Sequence, residues 1–221
     1  MKVELINHTP DPDKTCAAAA LGCHSESDSC EIIAQLSDQK AKNILKKTIS
    51  SGHHSVIEHA NFTFCISGVS RALTHQLVRH RIASFSQQSQ RYVKMTKAVY
   101  VTPPAIESNS SANKEFQRFM ETAWEVYRSL VDAGINAEDA RFVLPNAATT
   151  AITVTMNARE LRHFFELRCC TRAQWEIRKM AWQMLEQVKK VAPVMFEDAG
   201  PTCDNCLEPN YPCDRRKLSE K

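Results

Sequence analysis

The stretch Gln76-Leu77-Val78-Arg79-His80-Arg81-Ile82-Ala83-Ser84-Phe85-Ser86-Gln87-Gln88-Ser89-Gln90-Arg91-Tyr92 changes character midway. Its first part continues a segment whose spacing predicts a helix from Ser70 to about His80, on which Gln76 and Arg79, three apart, share a face. From Ser84 to Val93 no helical stripe remains. That part reads as extended chain, and Gln87, Ser89 and Arg91, two apart, share a face there. A helix running into an extended segment therefore aims amide, hydroxyl and guanidinium groups from both elements toward common ground.

Working outward, Asn61 to Gly68 alternates Phe62, Phe64 and Ile66 with polar or small residues, the period of a strand with one buried face. Upstream, residues 29 to 50 read as one helical region carrying Ile32, Ile33, Leu36, Ile44, Leu45 and Ile49, stopped at Ser51-Gly52. Residues 2 to 8 read as a strand ended by Thr9-Pro10-Asp11-Pro12. Asp13 or a neighbour is expected to cap a helix through the Ala-rich run to Gly22. Downstream, Pro103 and Pro104 interrupt the chain before a long amphipathic helix of about 112 to 133, with Phe116, Phe119, Met120, Ala123, Val126, Tyr127 and Leu130 on its apolar side and Gly134 at its end. A short helix to Leu144 stops at Pro145, Ala151 to Met156 is β-branched enough for a strand, and helices follow at about 158 to 169 and 173 to 191. Without a regular βαβ rhythm the class is α+β: a mixed or antiparallel sheet flanked by helices in a single domain, 1–198, followed by a Cys-containing tail, 199–221.

The bulk properties narrow the function classes. The chain has 221 residues and is 43% apolar, enough for a real core, and its formal charge of +3 lacks the basic excess of a nucleic-acid binder. A binding module built on Arg79, Arg81, Arg91, Arg159, Arg162 and Arg168 is the competing reading, and the near-neutral charge argues against it. Met1 to His8 lacks a signal peptide's apolar run, and no stretch approaches the roughly 18 apolar residues of a membrane span, so no membrane partner and a cytoplasmic location are expected. Nine cysteines without an export signal read as thiols rather than a disulfide framework. The five glycines are too scattered for a dinucleotide fingerprint or a P-loop. Any bound nucleotide must be gripped by side chains.

Arginine meets phosphate with a planar fork of donors, and histidine adds a hydrogen bond or a proton near neutral pH. Arg79-His80-Arg81 alone is also what a solvated basic helix end looks like. The amide- and hydroxyl-rich segment after it, flanked by Ile82, Ala83 and Phe85, favours a ligand, because partly buried polar side chains need partners. Arg168 is similarly two-sided. It falls seven residues after Leu161, on the stripe marked by Phe164 and Phe165, so it either snorkels from the helix end or turns a permanent charge inward. Arg159, nine residues earlier, points to the opposite helix face.

Arg79-His80-Arg81, seven residues and Ser89, then Arg91-Tyr92, together resemble the signature of flavin-dependent thymidylate synthases. The resemblance extends through Gly52-His53-His54-Ser55-Val56-Ile57-Glu58-His59, Ala140-Arg141-Phe142-Val143-Leu144-Pro145, Asn157-Ala158-Arg159 and Ala173-Gln174-Trp175-Glu176, and covers the chain at least to residue 192. It implies a homotetramer with FAD bound between subunits. Methylenetetrahydrofolate would be the carbon donor and NADPH the reductant for converting dUMP to dTMP. By matching position, Ser55, Arg79, His80, Arg81, Gln87, Asn157, Ala158, Arg159 and His163 look like flavin contacts. Gln76, Leu77, Val78, Arg79, Gln87, Gln88, Ser89, Gln90, Arg91, Arg141 and Arg168 look like dUMP contacts, with Arg168 the catalytic group that stabilises charge on the polarised pyrimidine. Ser89 is assigned to dUMP binding and orientation, with covalent attack the minor alternative; His53 shapes the flavin site or the electron-donor entrance, or is structural in its loop. Ser86, Gln87 and His163 depart from residues common in the family, keeping hydrogen bonding while altering charge.

Two cysteine patterns stand outside this reading. Cys203, Cys206 and Cys213 supply three thiolates where a closed zinc site needs four ligands, so no metal is assigned. Cys16, Cys23 and Cys30 recur every seven residues and are expected as buried structural thiols. Trp175 and Trp182 are expected in the core of the last helix.

Overall fold

Residues 1–203, Cys206 and Cys213 are described by a computed structural model. Along the chain run β1 (Lys2–His8), α1 (Pro12–Gly22), α2 (Ser29–Gln35), α3 (Asp38–Ser50), a 3-10 turn (His54–His59), β2 (Asn61–Ser70), α4 (Arg71–Leu77) and β3 (Ala83–Gln87). Then come α5 (Pro104–Glu107), α6 (Ser110–Asp132), α7 (Ala137–Ala140), a 3-10 turn (Arg141–Val143), β4 (Thr149–Asn157), α8 (Ala158–Arg168) and α9 (Trp175–Val191). The strands form one sheet in the order β1-β2-β4-β3, and the pairing is antiparallel. Its register is pinned at both ends of the central pair: Ala158 N–H donates to Ala60 O at 2.8 Å and Arg71 N–H to Ala148 O at 3.1 Å. The fold is α+β, as the irregular alternation of strands and helices predicts.

The chain divides into two compact units. One comprises Met1–Lys2, Ile66–Arg79 and Phe85–Thr153; the other comprises Val3–Cys65, His80–Ser84 and the chain from Val154 on. In the first, Met120 and Trp124 of α6 bury against Ala148, with Tyr100, Phe116 and Leu144 packed around them. Gly134 closes α6 at φ 87°, a left-handed conformation that glycine adopts without steric cost. In the second, Phe62, Phe165 and Phe196 meet edge to face at 5.4 and 5.9 Å, the arrangement aromatic quadrupoles favour.

Several local expectations are corrected. The helical region 29–50 is two helices. Leu36 leaves α2 with an extended ψ of 117° and is 5% exposed, and the Ser37 hydroxyl accepts from Lys40 N to open α3. A capping serine inside the region competes with continuation of the helix. The extended reading of 84–93 holds only to Gln87. Beyond it the Ser89 hydroxyl accepts from Arg91 N at 3.1 Å and the Ser89 carbonyl from Val93 N at 3.1 Å, so local turn bonds replace the ladder. Gln87, Ser89 and Arg91 thus do not share a strand face. α4 likewise ends at Leu77, which leaves Arg79 beyond the helix that holds Gln76.

Asp13 caps nothing. Asp11 holds the N-cap position at φ 41°, and the Asp13 carboxylate instead accepts from Val194 N and Met195 N at 2.9 and 3.1 Å. Of the heptad-spaced cysteines only Cys16 is buried; Cys23 and Cys30 are exposed. Trp175 and Trp182 are half-buried, and Ile177, Met180, Ala181, Met184 and Leu185 carry the buried face of α9.

Candidate active site

The predicted site residues fall into two sets, one in each unit. In the first unit, Ser70 caps α4 by accepting from Leu73 N at 3.0 Å, which fixes the helix that carries Thr74 and half-buried Gln76. Gln87, the last residue of β3, donates through Nε2 to Thr74 Oγ1 at 3.0 Å and to Thr150 Oγ1 at 3.4 Å. Both hydroxyls are on buried residues. Gln90 is buried as well, whereas Gln88 and Arg79 are exposed. Leu77 places its side chain in the core and Val78 turns outward.

Around the turn after β3, cationic groups gather. Arg91 Nε pairs with Glu138 Oε2 at 2.7 Å, and Arg141 Nε donates to the Glu138 carbonyl at 3.0 Å. Arg71 reaches the Gln88 carbonyl at 3.4 Å; burial first, and then the charge of Arg141, push its pKa down. Two guanidinium groups that raise each other's energy are what a bound dianion relieves. Arg71 and Glu138 were not singled out from sequence, because an arginine at a helix start and an acid in a short helix carry no distinguishing signal.

In the second unit, a cleft of about 660 Å³ is lined by His54 and Glu58 of the 3-10 turn, Ile82, five side chains from Asn157 to His163, and Asp198 to Gly200 among others. That volume lies within the range of small-molecule sites, about 300–1,000 Å³. Asn157 Oδ1 accepts from Glu160 N at 2.9 Å, so the same residue ends β4 and caps α8. Arg159 Nη1 pairs with Glu58 Oε1 at 2.5 Å at an exposed position. Arg162 is committed elsewhere, forked onto Asp198 at 2.8 and 3.2 Å and bonded to the Met195 carbonyl. His163 is exposed. Ala158 is wholly buried and its N–H is the one bonded to Ala60, while Ser55 and Arg81 are exposed and lie outside the cleft lining. The donor set of Arg159, His54, His163 and the Asn157 amide fits the pyrophosphate and ring edges of a dinucleotide cofactor, and Glu58 fits its hydroxyls.

At the inner side of this set lies a buried polar chain. His80 is 4% and Glu160 7% exposed, and His80 Nδ1 stands 3.1 Å from Glu160 Oε1. On the other ring nitrogen, Arg168 Nε donates to His80 Nε2 at 3.1 Å. Arginine stays protonated, so Nε2 must be the acceptor and Nδ1 carries the proton that faces Glu160. The Phe164 ring and the imidazole meet edge to face with centroids 4.9 Å apart. Burial first, then the charges of Arg168 and His163, lower the His80 pKa to about 4, so the ring is neutral at physiological pH. Burial likewise raises the Glu160 carboxyl, opposed by His163, and burial lowers Arg168. Arg168 therefore faces inward, one of the two placements its position on the helical stripe allows. Glu160 was missed from sequence because an acid three residues after an N-cap Asn reads as a helix-start signal.

Cys213 Sγ lies 3.1 Å from Thr171 Oγ1, and among the described residues no group of three or more metal-donor side chains is arranged to hold an ion. The remaining residues of the tail, 204–205, 207–212 and 214–221, lie outside the described residues. No helix among the described residues is long and apolar enough to cross a membrane.

One unit thus carries an arginine-rich polar cluster and the other a neutral-histidine chain beside a cleft, side-chain sites whose chemistry suits anionic, nucleotide-like ligands without a glycine loop. Residues 4–194 match the family model described as thymidylate synthase complementing protein. The chain is 52% identical to a flavin-dependent thymidylate synthase of Geobacter sulfurreducens, covering 97% of this chain and 94% of that protein. It is 46% identical to the one of Clostridium tetani, covering 100% and 96%. Among solved structures it is similar to the UMP/dUMP methylase PolB of Streptomyces cacaoi bound with 5-Br dUMP, with a TM-score of 0.80, 28% identity and coverage of 89% and 93%. The chain belongs to the flavin-dependent thymidylate synthase family.

Proposed function

We propose that this enzyme converts dUMP to dTMP by reductive methylation, with FAD as the bound cofactor, methylenetetrahydrofolate as carbon donor and NADPH as reductant. The observation that carries the reading is the inward-facing Arg168, which donates at 3.1 Å to a neutral histidine in a chain of the flavin-dependent thymidylate synthase family. Bound flavin supplies the hydride. The chain's own residues bind, orient and stabilise charge. Arg71, Arg91 and Arg141 hold the nucleotide phosphate, with Ser89 and Gln90 on the same turn. Gln76, Gln87 and Gln88 meet the sugar and base through amide groups. Arg168 stabilises the negative charge that develops on the uracil edge, an electrostatic task for a group that stays protonated in a poorly hydrated place. Asn157, Arg159, His163 and His54 hold the flavin, with Ser55, Arg79 and Arg81 completing its contacts. No cysteine nucleophile is needed. The active assembly is a homotetramer, each site completed by residues of more than one copy.

Protein reconstituted with FAD should show a flavin spectrum that bleaches with NADPH and recovers on adding dUMP and methylenetetrahydrofolate, with dTMP formed. Arg168→Ala should lose at least 100-fold in turnover, roughly the effect of removing one preorganised charge-stabilising donor, while keeping its flavin. Wild-type protein that stays inactive with a full complement of FAD would overturn the reading.

A further inference from the structure

Glu160 has no part in the binding assignments above, yet it is a carboxylate kept 7% exposed, and burial holds its carboxyl above the ordinary range. A helix-start acid gains its favourable interaction with the dipole while still in water. Burial here must be compensated by something specific, and the only side-chain hydrogen bond of its carboxylate among the described residues is to His80 Nδ1 at 3.1 Å, with the charge of His163 acting from farther off. From the geometry we infer that Glu160 is a positioning residue for the reaction: through the imidazole of His80 it fixes the direction of the Arg168 guanidinium. The inference rests on the reading that Arg168 acts on the pyrimidine.

The argument is one of proton placement. A neutral imidazole has one N–H, and its two tautomers differ in which nitrogen carries it. Glu160 can only accept from His80, since its ionised form has no donor, and this places the proton on Nδ1. Nε2 is then left as a lone pair, which is what Arg168 Nε–H requires at 3.1 Å. Phe164 packs edge to face with the imidazole, which is itself buried. Without the acceptor at position 160, a buried Nδ1–H loses its partner, and the ring relieves the cost by moving its proton to Nε2. Two N–H groups then oppose each other and the guanidinium swings away. The groups facing the ring are Glu160, His163 and Arg168 of α8, with Phe164 the apolar one. Of these only Glu160 stands within hydrogen-bond reach of Nδ1 as an acceptor.

The test uses FAD-loaded enzyme with ¹⁵N-labelled histidine and compares Glu160→Ala with Glu160→Gln, whose amide oxygen can still accept from Nδ1–H. In the wild type, His80 should appear as the Nδ1–H tautomer at pH 7. Glu160→Ala should move it to Nε2–H and lower kcat at least tenfold with flavin content unchanged, and Glu160→Gln should retain the tautomer and stay within about threefold of wild-type kcat. Wild-type His80 found as Nε2–H or doubly protonated would overturn the inference even if the Ala variant fails to fold. So would an Ala variant with full kcat, or a Gln variant as impaired as Ala. Arg168→Ala with undiminished turnover is a separate failure: it removes the assignment of Arg168 to the pyrimidine and with it the functional reason for the relay, while the tautomer measurement still reports on the geometry.

Discussion

At the residue scale, His80 shows how burial sets chemistry. The ordinary histidine pKa is near 6.5; inside this chain it is lowered to about 4, by burial first and then by the charges of Arg168 and His163. The unfolded chain therefore binds a proton below about pH 6.5 that the native state refuses until about pH 4, and native stability falls as pH falls through that window. At about 1.4 kcal/mol per pKa unit, the loss from pH 7 to pH 5 is on the order of 2 kcal/mol. Glu160 works in the opposite sense, because its raised pKa lets the native state take up a proton earlier. That contribution arises mainly from burial rather than from His80, so it stays in a His80→Asn variant and cancels in the comparison. Urea unfolding should show the wild type losing about 2 kcal/mol more than His80→Asn between pH 7 and pH 5. Equal losses in both proteins would mean that His80 titrates normally.

At the scale of elements, α8 illustrates what the sequence made legible and what it did not. Its range and the opposed direction of Arg159 follow from helical period, which places Arg168 on the inner stripe but leaves open whether its head turns inward; β1, β2 and β4 follow from alternation and β-branched composition, and β3 only from the absence of a helical stripe. Polar side chains that serve two masters do not. Asn157 matches a flavin contact by position, yet its Oδ1 already accepts from Glu160 N, and nothing in the sequence distinguishes a cap from a ligand. The turn after Gln87 was misread for the same reason: Ser89 and its neighbours satisfy the backbone locally, a choice that hydroxyl residues make by competition too close to read from pattern. Asn157→Asp and Asn157→Ala separate the two roles. Asp keeps the cap and adds favourable charge at the helix start, so its unfolding midpoint should stay near wild type while flavin retention falls with loss of the amide donor. Ala should lose flavin as well and cost about 1 kcal/mol of stability. Asp and Ala variants that both retain wild-type flavin occupancy would assign Asn157 to the cap alone.

At the scale of the whole molecule, the surface carries apolar groups that a lone chain would keep in water. On α6 the apolar stripe splits. Met120, Ala123, Trp124 and Tyr127 are buried, while Phe119 and Val126, seven residues apart on one face, remain 60% and 43% exposed. Phe142 is 82% exposed beside Arg141, and Ile82 is 67% exposed beside Arg81, so apolar exposure occurs next to residues assigned to ligands. Burying a side chain such as Phe119 against another copy would contribute up to about 1.5–3 kcal/mol, a gain that a symmetric oligomer would repeat over its copies. Four chains of 25.0 kDa give a particle of about 100 kDa. Light scattering on the wild type should report that mass, and Phe119→Lys with Val126→Lys should shift it toward smaller species. Because neither side chain lies in the core, the far-ultraviolet dichroism of the variant should match the wild type. On the proposed reading, in which each site draws on more than one copy, turnover should fall together with the mass. A variant that remains at about 100 kDa would place the interface on other faces, and one that dissociates yet turns over at the wild-type rate would show that a single chain suffices for the chemistry.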